Sequence, residues 1–371
     1  MNVRAVKIPA QRFKVEDSSR YGIQTYGEDN LYPQHLRRIT SASGTAELCL
    51  ARYAEFIEGN GFIEDLTAEQ SVNITKETFD DLLHLLAEDV ARYGGLALHV
   101  NYNLLGEVTS VAHVPFEHCR LAEADDKGNV TKVVLYGDWG CERDRRIDDS
   151  KIDKIDLFNN DPDVVQAQIE EAGGIQSYKG QVLWLSMAGK AVYPTPIYDS
   201  AITEISTDDA LGNIKYRNAR NNFLLSCMLI TKKGIPQIDE SGREVENSVI
   251  EADDLLAFQG DENTSKILLL ELENEEDKPE IVSFPSRNYD KDFSVTDSSV
   301  VERIYAQFHQ ELFYAIRTGR LGFSGNVMRD AYEYYAGKVT NEQRFIERAF
   351  RRIYGDYNFA IQPLRYINSE G

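Results

Sequence analysis

The sequence predicts an α+β fold, and three observations support this prediction. Apolar residues recur at helical spacing in several long segments, among them 79–93, 197–222 and 340–353. Between residues 96 and 136, by contrast, short apolar stretches separated by turn residues are typical of strands. The 371 residues contain no internal repeat and are enough for two or three domains, each with its own core.

The charge of the chain limits what it binds tightly. Its 40 Lys and Arg residues oppose 61 Asp and Glu residues, for a formal net charge of −21. Affinity for nucleic acids and anionic membranes comes largely from basic side chains, so tight wrapping of either is not expected. Residues 236–292 contain 17 acidic and 5 basic side chains, whereas 301–371 is slightly basic. A solvated surface explains the acidic segment, and the asymmetry suggests that different parts of the chain meet different surroundings.

The sequence also indicates the compartment in which the protein is made. The N-terminal residues Met1–Lys7 lack the apolar core of a signal peptide, and no apolar run approaches the ~18 residues of a membrane helix. Four widely spaced cysteines without a C-x-x-C pair are most simply free thiols. We therefore expect a reducing compartment and no membrane partner.

The first part of the chain is predicted as an irregular segment followed by two helices. The first helix is expected around 43–57. The second begins near Phe79, where apolar residues recur at helical spacing, and Gly94-Gly95 closes it because glycine readily adopts the conformation that ends a helix.

Strands are expected next, at Leu96–Tyr102, Val108–Val114 and Val130–Tyr136. Asp125–Asn129 is a suitable hairpin turn between the last two. An antiparallel sheet is therefore the expected centre of residues 70–195.

Two long helices are predicted in the second half. Beyond Pro196, a narrow apolar stripe predicts a helix over 197–222, about 39 Å long at 1.5 Å per residue. Such a helix usually packs against similar neighbours. The second is expected to begin near Ser298-Ser299, where Ser299 and Glu302 fit a capping box. The acidic insertion between them is expected to contain a short helix over 248–258 and strands over 266–272 and 280–284.

A glycine-rich loop follows the second long helix at 317–326, where three glycines in ten residues predict a flexible connection. With Arg317, Arg320 and Phe323, it is the one segment suited to reach a phosphate backbone, although a plain helix–helix connection explains it more simply. Two closing helices are expected, the second behind a capping box of Thr340 and Gln343.

No set of residues strongly predicts catalysis. His113, His118 and Cys119 lie close together in the sequence, yet their spacing matches no common zinc site, and ordinary strand and loop residues explain them. The sequence has no phosphate loop, dinucleotide fingerprint or nucleophile elbow. We expect no cofactor, no metal and no enzyme; a metal-dependent hydrolase using these three residues is the weaker alternative.

The order and spacing of elements over about 195–355 resemble those of the portal proteins of tailed bacteriophages. The resemblance rests on a long helix, a small α/β insertion containing Gly260–Leu270, a second long helix, a Gly-rich loop and a further helix. Near the front, Tyr26–Pro33 and Gly59–Phe62 are similar to the start of portal proteins from phages and prophages of the Bacteroides type.

The resemblance implies a portal-type subunit with an α+β wing, two long stem helices, a small α/β clip, and C-terminal helices after a tunnel loop. The implied boundaries are 1–195 for the wing, 196–222 for the first stem helix, 223–292 for the clip, 293–316 for the second stem helix, 317–326 for the tunnel loop, and 327–371 for the C-terminal wing and crown helices.

The resemblance also implies a function. Such subunits form a ring, usually of twelve copies, through which double-stranded DNA passes at one capsid vertex. Its implied partners are the terminase large subunit, a head–tail adaptor, and capsid and scaffold proteins, in a virion made in the cytoplasm of a bacterial host. The tunnel loop would contact DNA weakly and non-specifically through Arg317, Gly319, Arg320, Gly322, Phe323, Gly325 and Asn326.

One departure from the family pattern concerns the second stem helix. Many relatives break it with a Val-Pro-Pro-type sequence, whereas Phe308–Leu312 contains no proline. We therefore expect this helix to continue to about residue 316 without a kink.

The alternative function, from another class, is an acidic structural head–tail adaptor that lacks a DNA channel. A single image of the assembly distinguishes it from a portal.

Overall fold

The computed structural model describes residues 19–20, 22–63, 71–139, 151–188, 191–220, 227–230, 236–238, 244–246, 280–283, 289–355 and 359–366. The chain divides into two compact units, Met1–Thr207 with Val300–Gly371, and Asp208–Ser299. No helix within these described ranges is long and apolar enough to cross a membrane. The predicted helix over 248–258 and strand over 266–272 lie outside the described residues.

Two consecutive helices begin the first unit, α1 at Tyr32–Ala42 and α2 at Gly44–Glu58. The predicted irregular segment is wrong over Tyr32–Ala42, where α1 forms. This helix starts on a proline-containing first turn, in which the missing N–H costs no hydrogen bond. Ser43 separates the helices, and its hydroxyl accepts a 3.0 Å hydrogen bond from the Ala46 N–H. The helix predicted over 43–57 is confirmed within one residue.

The third helix, α3 at Phe79–Tyr93, forms as its sequence predicts. Thr78 and Asp81 form a reciprocal capping box at its start. Gly94 ends it with φ +76°, a left-handed conformation that glycine adopts without steric cost.

A six-stranded sheet forms the centre of the first unit. Its strands are β3 (Gly95–Tyr102), β4 (Val108–His113), β5 (Cys119–Leu121), β6 (Lys132–Leu135), β7 (Asp153–Leu157) and β8 (Gln181–Ser186). The short strands β1 (Ser19–Arg20) and β2 (Ile23–Gln24) pair beside it. The spatial order is β4-β3-β8-β7-β6-β5, and every pairing is antiparallel except that of β7 with β8.

The predicted hairpin exists, but it joins different strands. Asp125–Asn129 forms the turn between β5 and β6, and a hydrogen bond of 2.8 Å runs from the Asp125 N–H to the Asn129 oxygen. Strand β4 pairs instead with β3, because Pro115 and the short 3-10 turn Phe116–His118 end it before β5 begins.

The single parallel pairing follows from a crossover helix, α4, at Pro162–Glu171. It lies between β7 and β8 in the chain, and such crossovers connect parallel strands. Gln168 on α4 accepts a 2.7 Å hydrogen bond from the side-chain amide of Gln181, the first residue of β8. Neither α4 nor the strands β7 and β8 were predicted from the sequence.

A buried arginine joins the first segment to the sheet. Arg120 on β5 is fully buried and donates hydrogen bonds to Asn30 (Oδ1, 2.6 Å, and the backbone oxygen, 2.7 Å) and to the Cys119 oxygen at 2.7 Å. Its guanidinium also lies 5.0 Å from the centre of the Trp139 ring. Burial lowers the pKa of Arg120 to about 10, which leaves it charged at neutral pH.

Two long helices are present, α5 at Ile202–Arg220 and α6 at Tyr289–Gln307. Helix α5 is shorter than the predicted 197–222, because a 3-10 turn at Asp199–Ala201 precedes it. Helix α6 begins well before Ser299, so the predicted capping box lies inside the helix, where Ser and Glu are both tolerated.

The second unit contains two strand pairs among its described residues. Strand β9 (Cys227–Ile230) pairs antiparallel with β12 (Glu280–Ser283), and β10 (Pro236–Ile238) pairs with β11 (Glu244–Glu246). The strand predicted over 280–284 is confirmed.

The second long helix breaks, contrary to the prediction of an unkinked run to residue 316. Helix α6 ends at Gln307, and a separate helix α7 covers Glu311–Arg317. At the break His309 has φ +57°, in the left-handed region. Proline, whose ring fixes φ near −65°, cannot adopt this value. The helix therefore breaks without a proline, so the absence of proline from Phe308–Leu312 does not predict a continuous helix.

Two helices follow, α8 at Gly325–Lys338 and α9 at Thr340–Tyr354. The capping box predicted at the start of α9 is wrong. The Thr340 hydroxyl donates to the Gly337 oxygen at 3.1 Å, and the Gln343 amide donates to the Phe56 oxygen of α2 at 3.1 Å. Tertiary contact with α2 thus replaces the local cap.

Helix α9 and the segment after it complete the core of the first unit. The ring of Phe350 packs edge to face on Phe62 and Phe79, with centroids 5.4 and 5.8 Å apart. Phe359 stacks on Phe350, and the Gln362 N–H donates to the Gly61 oxygen at 2.8 Å. Residues near both ends of the unit therefore share one core.

Candidate functional site

The segment predicted as a tunnel loop connects α7 to α8, and its free part is shorter than predicted. Arg317 is the last residue of α7, and Gly325 and Asn326 are the first two of α8, which leaves residues 318–324 as the connection. Ser324 caps α8, since its hydroxyl accepts a hydrogen bond of 3.4 Å from the Val327 N–H.

The first half of this connection is a hydrogen-bonded helix end. Gly319 adopts φ +73°, and its N–H donates to the Ile316 oxygen at 3.0 Å. The Leu321 N–H reaches back to the Ala315 oxygen at 3.1 Å. Only Gly319, of the three predicted loop glycines, uses the left-handed conformation. Gly322 lies in open space where a Cβ would meet no atom within 4 Å.

Arg317 is bound to the second long helix. Its guanidinium donates a 2.8 Å hydrogen bond to the hydroxyl of Tyr305, a buried residue of α6. This hydrogen bond raises the pKa of Arg317. Because its charge is fixed beside the helix, Arg317 acts first as a link between α6 and α7.

Arg320 makes a weaker contact with the same helix. It forms an ion pair with Glu302 at 3.0 Å, and the side chains are 60% and 50% exposed. The hydrogen bond that Arg320 donates to Glu302 raises the pKa of Arg320. Exposed ion pairs are screened by water and contribute little to stability. A phosphate group could therefore take the place of Glu302 as the partner of Arg320 with little loss of stability. Of the two arginines, Arg320 is the one available to a polyanion.

Phe323 lies at the exposed end of the connection. It is 82% exposed, and Leu321 beside it is 37% exposed. An exposed aromatic ring three positions along the chain from a solvent-accessible guanidinium offers both an apolar and a charged contact to a passing partner.

The two long helices are joined by polar contacts within each unit. In the first unit, Arg303 of α6 pairs with Glu204 of α5 at 3.1 Å, and the Gln307 amide donates to the Ile197 oxygen at 2.6 Å. In the second unit, Lys215 of α5 pairs with Asp297 of α6 at 2.7 Å. The long helices are therefore neighbours, as expected for helices with one narrow apolar side.

The residues of the alternative hydrolase have other partners. His113 contacts the carboxylate of Asp89 at 2.7 Å, and the Cys119 thiol is buried near the Pro115 oxygen. Burial raises the pKa of Cys119, so it is a poor nucleophile or metal ligand, and lowers that of His118. Within the described ranges, no group of three potential metal ligands is present.

Two features of this region were missed in the sequence. One is the pair of contacts from α6 to the loop, through Tyr305 and Glu302, which the helical stripe of the sequence does not reveal. The other is the exposed basic face of α9, which has a readable signal in arginines spaced four residues apart at 344, 348 and 352.

No protein-family model and no curated protein matches the chain. Solved structures do match it. A chain in the neck of an empty gene transfer agent (GTA) particle, computed with C6 symmetry, is 12% identical with a TM-score of 0.51, over 91% of this chain and 85% of that chain.

Two further matches are looser. A chain in the neck of a native GTA particle computed with C12 symmetry is 12% identical, with a TM-score of 0.48 over 89% of this chain and 82% of that one. A crystal structure of an HK97 family phage portal protein from Corynebacterium diphtheriae is 11% identical, with a TM-score of 0.35 over 88% and 90% of the two chains. We base the fold assignment on the first match alone. The chain has the α+β fold of a chain in the GTA neck.

Proposed function

We propose that this chain is the subunit of a portal ring, the conduit through which double-stranded DNA enters and leaves a phage-type capsid. The observation that carries the proposal is the shared fold with a GTA neck component over 91% of the chain. A local motif would support only one part of the molecule, whereas this likeness extends over both units.

The ring is supported by symmetry and by the long helices. The matching neck structure was computed with C6 symmetry, which is compatible with a closed ring and with the twelve copies that we propose. Helices α5 and α6 pair with each other, and in a ring wall their remaining sides would meet neighbouring copies.

Passage of DNA is supported by the charge of the chain. A net charge of −21 opposes adhesion of phosphate, so DNA would move through the ring without being retained by counterion release. Contacts would be transient and would come from the proposed tunnel-loop residues Arg317, Gly319, Arg320, Gly322, Phe323, Gly325 and Asn326. Arg320 and Phe323 are the most accessible of these.

The proposed partners follow from this place in the particle. The clip, proposed as 223–292, would meet the terminase large subunit during packaging and a head–tail adaptor afterwards. The proposed wing, 1–195, would face capsid and scaffold proteins. In this proposal the chain is a passive conduit at the capsid vertex and hydrolyses nothing itself.

Negative-stain electron microscopy of the purified protein tests the proposal. We expect rings with a central hole, and light scattering is expected to give the mass of a ring at micromolar concentration. Monomers alone at that concentration would contradict the proposal. Closed assemblies without a hole would favour the head–tail adaptor instead.

A further inference from the structure

The outer face of α9 is basic in a chain that is otherwise strongly acidic. Arg344, Arg348 and Arg352 follow one another along this face and are exposed. Within the part of the chain that the structure describes, no carboxylate lies within ion-pair distance of these three. Glu347, on the same helix, is occupied by Arg351 at 3.2 Å and by the Ile361 N–H at 3.0 Å.

This basic face borders a cleft of about 890 Å³. The other wall of the cleft is the end of β8 with the residues after it, Ser186, Met187 and Ala188. Met187 is 39% exposed, and the Arg348 guanidinium lies 5.8 Å from the centre of the Phe345 ring. The cleft therefore combines uncompensated positive charge with apolar surface.

An acidic helix lies at the other end of the same strand. Helix α4 and its cap present Asp161, Asp163, Glu170 and Glu171 to solvent, and the helix has no basic residue. The exposed side of α4 is negatively charged, opposite in sign to Arg344, Arg348 and Arg352 on α9.

The two surfaces are separated by the length of β8. Its first residue, Gln181, is hydrogen-bonded to α4, whereas Ser186 at its last position lines the cleft. Six residues of strand span roughly 20 Å at 3.3 Å per residue. Among the described residues, those that line the cleft include none from α4 of the same copy, so this helix does not fill it.

We propose that the α9 cleft of one copy receives α4 of the next copy, in a head-to-tail contact. An interface between two different patches is heterologous, and repetition of such a contact closes into a ring when the rotation allows. The inference rests on the proposed ring and names the surfaces that build it. A nucleic acid is a less suitable occupant, because the net charge of −21 opposes its approach and its phosphates gain nothing from Met187.

Charge reversal with rescue tests this contact. One variant carries Arg344→Glu and Arg348→Glu, a second carries Asp163→Lys and Glu170→Lys, and a third combines all four changes. Each of the first two is expected to raise the concentration of half-assembly by about tenfold or more, because like charges then face each other. The combined variant is expected to recover assembly. Mass photometry over a concentration series, with negative-stain images, measures the outcome.

Two further variants distinguish loss of this contact from a general effect of charge and from misfolding. Arg329→Glu with Arg365→Glu changes the same amount of charge at exposed positions outside the cleft and is expected to leave assembly intact. The milder pair Arg344→Gln and Arg348→Gln is used if circular dichroism shows that the reversed variant does not fold, and it too is expected to weaken assembly.

Rings that persist in every variant would overturn this inference and leave the proposed function standing, whereas a wild-type chain without rings would refute the proposed function itself. A gel-shift assay with duplex DNA tests whether a nucleic acid, rather than α4 of another copy, occupies the cleft. Loss of DNA binding in the Arg344 and Arg348 variant, with its rings intact, would assign the cleft to DNA and overturn the contact between copies.

Discussion

The side-chain amide of Gln310 donates a hydrogen bond of 2.7 Å to the backbone oxygen of Cys49, which lies inside α2. The same amide donates to the Tyr335 hydroxyl of α8 at 2.9 Å, and its oxygen accepts from Arg52 at 3.1 Å. Gln310 is fully buried. One side chain at the break between α6 and α7 thus contacts two other helices, and this fixes the direction of α7 and of the loop after it.

Replacement of Gln310 by Leu is expected to lower the free energy of unfolding by about 1–3 kcal/mol, because it leaves buried partners of the amide without a hydrogen bond. Urea denaturation monitored by circular dichroism measures the change. The matched control is Gln166→Leu on the exposed side of α4, expected to stay within about 0.5 kcal/mol. Equal effects of the two substitutions would contradict a structural role for Gln310.

His309 provides a second test of the same break. Its φ of +57° suits glycine, and its side chain is exposed. We expect His309→Gly to preserve or slightly raise stability, and His309→Val to lower the free energy of unfolding by about 1–2 kcal/mol, since a β-branched residue is strained in the left-handed region. Thermal unfolding of the three proteins gives the order. A valine variant as stable as wild type would exclude this backbone conformation.

The loop arginines should differ in their effects. Arg320→Ala is expected to change stability by less than about 0.5 kcal/mol, because its ion pair is exposed. Arg317→Ala is expected to cost about 1 kcal/mol, because it leaves the buried Tyr305 hydroxyl without its partner. Differential scanning fluorimetry compares them.

The double variant of Arg317 and Arg320 tests their proposed role in DNA passage. It is expected to form rings and to lower DNA packaging or retention in particles, whereas the exposed control Arg365→Ala should leave both unchanged. Packaging at the wild-type level in the double variant would remove these arginines from the site.

Arg120 offers a test of the core of the first unit. We expect Arg120→Lys to lower the free energy of unfolding by about 2–4 kcal/mol, because an ammonium group cannot reproduce the planar set of hydrogen bonds to Asn30 and Cys119. The Trp139 ring centre lies 5.0 Å from the guanidinium of Arg120, so the fluorescence of Trp139 reports the unfolding in urea. Arg303→Lys, at an ion pair that is 69% exposed on the arginine side, serves as the control and should have little effect. A similar loss in both variants would show that the burial of Arg120 is not decisive.

The sequence predicts best those features that depend on neighbouring residues. Helix α3 is an example, since Thr78, Asp81 and Gly94 mark its ends locally. The predicted cap at Thr340 and the unkinked helix through Gln310 were wrong for the same physical reason. In both places a glutamine that is remote in sequence from its partner binds a backbone oxygen of α2, and no local pattern reveals such a contact.

The candidate site likewise combines features that local sequence predicts with contacts between residues remote in sequence, which it does not predict. The Gly-rich composition located the connection between α7 and α8, but the flexibility inferred from three glycines did not account for the hydrogen bonds that fix its first half. The contact of Arg317 with Tyr305 depends on how α7 folds back beside α6, which follows from the break. The strands β7 and β8 were missed because their pairing depends on the α4 crossover rather than on a turn.

The position of the second unit within the chain has a consequence for synthesis. The first unit is interrupted by residues 208–299, and its core is completed by α9 and Phe359, which are translated after the interruption. At roughly 5–20 residues per second, the ribosome needs several seconds to make the interruption. During that interval the apolar surface of α2 and α3 that packs against α9 stays uncovered. Nascent chains of this protein are therefore expected to depend on a chaperone or to associate prematurely until α9 emerges.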